Sequence, residues 1–110
     1  MYYDLSKREK KIARQCIDKG LNTAYINALN DAGRTLQDWH TEKLNTRDAY
    51  LKLFKVIEKH DGAIANRYNG LGGSRWLMTV AQLFAEKVIT EDDIKDFSDE
   101  TKEVIYLWAR

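Results

Sequence analysis

No proline interrupts the 110 residues of this chain. Proline fixes φ, removes a backbone donor and breaks helix interiors. Without it, the spacing of the apolar residues decides what the chain can form. They recur every three or four positions almost throughout, the period of one helix face. Ile12, Ala13, Cys16 and Ile17 make the first stripe. Tyr25, Leu29, Ala32, Leu36 and Trp39 make the second, and Tyr50, Leu53, Phe54 and Ile57 the third. Nowhere do apolar and polar residues alternate over the length of a strand. The expectation is all-α: a compact bundle of about five helices in a single domain over residues 1–110, three longer core helices plus two short C-terminal ones.

Capping residues and glycines set the expected boundaries. Ser6 and Glu9 form a capping box, and Gly20 is expected to close the first helix near residue 19. Asn22 or Thr23 then starts a second helix that ends near Glu42 or Lys43. Gly33 inside it costs about 1 kcal/mol against Ala and is expected to mark the close crossing of another helix. The short Leu44-Asn45 connection implies antiparallel neighbours. Asn45 or Thr46 caps the third helix, with Asp48 in its first turn. That helix is expected to continue through Gly62 to about Asn69, with Tyr50, Leu53, Phe54 and Ile57 facing inward. From Trp76 to Val88 runs the most apolar segment, expected to be the most buried helix. Thr90 and Ser98 open two short helices.

Three of the six glycines fall in one loop, at Gly70, Gly72 and Gly73. Ser74 is expected to cap the next helix there. Helix starts offer free N–H groups to anions, so Gly72, Gly73, Ser74 and Arg75 are candidate anion-binding residues. The loop is not a P-loop, because no Lys-Ser/Thr pair follows it, and no strand or acidic ribose partner frames it. A tight connector between packed helices is the plainer reading.

Other chemistry is sparse. His40 and His60 are the only histidines and Cys16 the only cysteine. Neither histidine stands in a metal-binding spacing, so no metal and no cofactor are expected. Cys16, at an apolar helical position, reads as a buried thiol. His60 and Asp61 lie within an apolar stripe and are candidate buried polar groups. Neighbours on a helix do not face each other, so each is expected to pair elsewhere, for example with Arg67 or Arg75. No nucleophile motif is present, and the chain is read as non-enzymatic.

The net charge of +1 is too small to make nucleic acid a default partner. It hides an asymmetry, +3 over residues 1–20 and −4 over residues 90–110, which lets the two ends attract. Basic faces at Lys7, Lys11 and Arg14, and at Lys52, Lys55 and Lys59, support nucleic-acid binding as an alternative function. The leading expectation is a protein-interaction module that binds a protein partner or itself as a homodimer. Trp39 and Trp108, near helix ends, are candidate interface anchors, and Tyr2 and Tyr3 are expected to be exposed. No apolar run is long enough to span a bilayer and no signal-peptide core is present. A cytoplasmic, bacterial module is therefore expected.

Overall fold

The computed structural model describes residues 4–110, the side chain of Ser74 excepted. The expectations for Tyr2 and Tyr3 lie outside the described residues. The chain is all-α, with five helices among the described residues: α1 (Lys7–His40), α2 (Thr46–Tyr68), α3 (Gly73–Ala85), α4 (Glu91–Ile94) and α5 (Asp99–Trp108). Three are long and the two C-terminal ones are shorter, as the spacing predicts.

The main departure is at Gly20. The two N-terminal helices expected from the sequence are one helix of 34 residues. A single glycine weakens a helix without ending it. No proline or polar turn cluster follows Gly20, Gly20 itself is buried, and Leu21 and Ala24 continue the apolar spacing of Ile17. α2 runs unbroken through Gly62, as expected.

The chain divides into two compact units that share α1. One takes in the chain up to Asn22 and from Gly70 to Arg110; the other is Thr23–Asn69. The first unit holds a conventional core. Ala13 and Cys16 of α1 bury against Leu77, Val80, Ala81 and Leu83 of α3, with Ile94 of α4 and Ile105 of α5. Capping fixes its short elements. Glu9 N–H donates to Ser6 Oγ at 3.1 Å, and Ser98 N–H donates to Glu9 Oε2 at 3.2 Å. Glu9 thus serves the start of α1 and the start of α5 together. Thr90 N–H donates to Asp93 Oδ2 at 2.7 Å, and Lys19 Nζ reaches the same carboxylate oxygen at 2.8 Å. The oppositely charged chain ends therefore meet within this unit.

The second unit is a helical hairpin. Asn45 caps α2, accepting from Asp48 N–H at 2.8 Å. Trp39 meets Thr46 beside the turn, and Asp31 meets His60 some 29 residues away in sequence, so the two helices run antiparallel. α1 stops because Glu42 takes a left-handed conformation, φ 63°. Its N–H donates to Trp39 O, and the Lys43 N–H donates to Asp38 O, the paired bonds that close a helix around a left-handed residue. Lys87, φ 61°, repeats the device after α3, with bonds to Phe84 O and from Val88 N–H to Leu83 O. α3 therefore ends at Ala85 and not at Val88.

Candidate interaction surface

The hairpin buries short side chains and leaves long ones outside. Ala28, Ala32 and Thr35 of α1 and Ala49 of α2 are buried. Of the α2 stripe expected to face inward only Leu53 is half-buried, and of the α1 stripe only Ala32 is buried. Tyr25, Leu29, Leu36 and Trp39 are 51, 68, 40 and 40% exposed. Tyr50, Phe54 and Ile57 are 71, 62 and 44% exposed. Of twelve large apolar side chains exposed among the described residues, nine belong to Thr23–Asn69, so the exposure is a property of this unit and not of the chain as a whole.

These side chains share one side of the hairpin. In each helix the exposed stripe lies about a quarter turn from the buried contact line, in the same rotational sense. Helices that run antiparallel and share that sense present their stripes to the same side. Leu36 and Trp39 of α1 accordingly line a single cavity of about 190 Å³ with Tyr50 and Leu53 of α2. Trp39 also donates its indole N–H to Thr46 Oγ1 at 3.2 Å and its ring lies 4.9 Å from that of His40. It thus stands half-fixed at the turn end of the apolar face. Soluble monomers rarely expose a contiguous apolar patch beyond a few hundred Å², and larger patches mark interaction sites.

The other sequence candidates fall elsewhere. Trp108 is half-buried and packs against the core of the first unit. Gly33, expected to mark a close helix crossing, meets none among the described residues: a Cβ built there would touch nothing within 4 Å. His60 pairs across the hairpin with Asp31, Nε2 to Oδ2 at 2.5 Å, and Arg34 contacts the other oxygen of Asp31. His60 also borders a cavity of about 380 Å³ with Asn27 and Tyr68. Asp61, expected from the sequence to be a buried polar group, is exposed instead: it is the helix neighbour of His60 and points away from the face that His60 presents to α1.

In the glycine loop, Gly70 adopts φ 66°, a conformation that favours glycine. The residue that caps α3 is Gly72 and not Ser74. Arg75 N–H is already bonded to Gly72 O at 3.0 Å, and Trp76 Nε1 donates to Leu71 O at 3.2 Å. The Arg75 side chain is exposed. The basic residues are exposed as well: Lys7, Lys11 and Arg14 on α1, Lys52, Lys55 and Lys59 on α2. Arg14 lies 5.9 Å over the ring of Trp76. By spacing, the α2 lysines occupy the side opposite Tyr50, Phe54 and Ile57.

Burial pushes the Cys16 thiol up to about 11, aided by the nearby Asp93 carboxylate. The Lys19 ammonium holds Asp93 below its ordinary value. Among the described residues no group of three or more His, Cys, Asp or Glu is placed to hold a metal ion, and no helix is long and apolar enough to cross a membrane. Comparison with protein-family models, curated proteins and solved structures finds no match to this chain.

The apolar hairpin face is what the sequence reading missed. The available signal was the row Ala24, Ala28, Ala32, which runs at steps of four beside the larger residues. Two helices meeting on small side chains leave the adjacent large ones at the flank.

Proposed function

We propose that the chain is a small non-enzymatic module that works by protein–protein contact or self-association, using the flank of the α1–α2 hairpin. The observation that carries this reading is the set of Tyr25, Leu29, Tyr50 and Phe54, each more than half exposed on one side of two paired helices. Aromatic anchors of this kind dominate contact energies once a partner excludes water from them. The nucleic-acid alternative rests on the exposed Lys7, Lys11 and Arg14 of α1 and Lys52, Lys55 and Lys59 of α2. Asp48 and Glu58 are exposed on the same helix and dilute that basic face.

The test places a photo-crosslinking phenylalanine analogue at position 54, with position 52 on the opposite side as control. Purified protein and extract of its own cells are illuminated. Contact through the hairpin flank gives adducts from position 54 that position 52 does not give. Equal or no adducts from the two positions would contradict the reading.

A further inference from the structure

The exposed stripe of α2 has charges of opposite sign at its two ends. Arg47, Tyr50, Phe54, Ile57 and Asp61 follow one another at steps of three and four along α2, so they form a single stripe. Arg47 and Asp61 are exposed at its two ends. Between them stand three large exposed apolar side chains, with Phe54 at the midpoint. The stripe therefore carries a positive end, an apolar middle and a negative end.

We infer that the occupant is a second copy of this chain, docked flank to flank about a two-fold axis that passes near Phe54. The inference rests on the contact reading above and gives that contact a partner. A two-fold interface uses the same patch on both subunits, so that residue i meets j and j meets i. Laid antiparallel, Arg47 of each copy faces Asp61 of the other. Tyr50 faces Ile57 twice, and Phe54 meets its own counterpart. A parallel arrangement would set Arg47 against Arg47 and Asp61 against Asp61, and like charges opposed across an interface are rejected.

α1 agrees with the same axis. Between the Trp39–Thr46 and Asp31–His60 contacts, Gly33 comes opposite the Phe54–Ile57 stretch of α2. It stands between Leu29 and Leu36 by spacing, and its missing side chain leaves open space. A second α1 crossing at that level gives Gly33 the close helix approach that the described residues of one copy do not supply. Two hairpins joined in this way make an antiparallel four-helix bundle, whose shared core takes the stripes of α1 and α2. Covering the exposed parts of the large side chains on this flank removes on the order of 800 Å² from each copy, the size of a standard specific interface.

Sedimentation equilibrium of the full chain tests this. The wild type is expected to form dimers, and Phe54→Asp to remain monomeric with unchanged helicity. Arg47→Asp and Asp61→Arg, each facing its own like charges twice, are expected to weaken dimerisation about tenfold or more. Mixing the two single variants restores association, because in the hetero-pair positions 47 and 61 again carry opposite charges at both ends of the stripe. A wild type that stays monomeric to about 1 mM, or a mixture no tighter than its separate components, would overturn the second-copy assignment. In that event, adducts from position 54 to a different protein would preserve the contact reading, and their absence would remove both.

Discussion

The two units of this protein use similar residues in opposite ways. In the first, Leu77, Leu83, Ile89, Ile94 and Ile105 are almost fully buried, and α3 and α5 pack against each other with α1. In the second, the buried residues are alanines and a threonine, while tyrosine, leucine and phenylalanine face outward. The first unit wraps its core with four helical segments. The second has only two helices, and a pair of helices has no far side on which to bury two wide apolar faces. Both segments are amphipathic; what differs is whether the chain supplies enough elements to cover them.

The largest expected effect separates the units by stability. Leu77→Ala and Ile105→Ala should each cost about 2–5 kcal/mol, as buried leucine and isoleucine truncations do. Leu29→Ala in dilute protein should stay within about 0.5 kcal/mol, as for other exposed positions. Urea unfolding followed by far-ultraviolet circular dichroism, which reports the helices of both units, checks both. Similar costs in the two units would break the comparison.

Cys16 gives a second probe of the first unit. With its thiol raised to about 11, ionisation alone should slow alkylation at pH 8 by roughly two orders of magnitude against an ordinary thiol. Burial should slow it further. Labelling as fast as in urea-unfolded protein would show that this core opens readily.

A smaller effect is expected at Asp93, which joins α4 to Lys19 of α1. Asp93→Ala should cost about 1 kcal/mol at pH 7, combining a cap and a surface ion pair. The folded-state value is lowered below 3.8, so this stabilisation is complete above that pH and is lost as pH falls through the lowered value. Urea midpoints of the two proteins should converge as the pH falls below that lowered value, and a gap unchanged by acid would contradict the pairing.

The smallest changes should be stabilising. Glu42 and Lys87 hold left-handed conformations that glycine adopts without strain. Glu42→Gly and Lys87→Gly should each raise stability by about 0.5–1 kcal/mol. Thermal melts would show this as a small upward shift, and a fall at either position would show that the side chain matters more than the backbone.

Much of this fold was legible in residue spacing. The α2 boundaries followed from Asn45, Asp48 and the stripe beyond them, and the apolar content of α3 announced its burial. The fused α1 was not legible, because a glycine at position 20 gives the same signal whether a helix ends there or runs on. The candidate surface was hidden for a related reason. Periodicity shows that a helix has an apolar face, and Tyr50, Phe54 and Ile57 show one clearly. It does not show whether the covering element belongs to the same chain. Only the placement of Ala28, Ala32 and Ala49 at the contact line reveals that the larger residues are left over.

Hydrogen exchange as a function of protein concentration tests the central claim most directly. Amides of Leu53–Ile57 should gain protection as concentration rises, because association completes the hairpin. Amides of Val80–Leu83 should be protected to the same degree throughout. Equal, concentration-independent protection in both segments would mean that the hairpin is complete in the single chain, and would contradict the account.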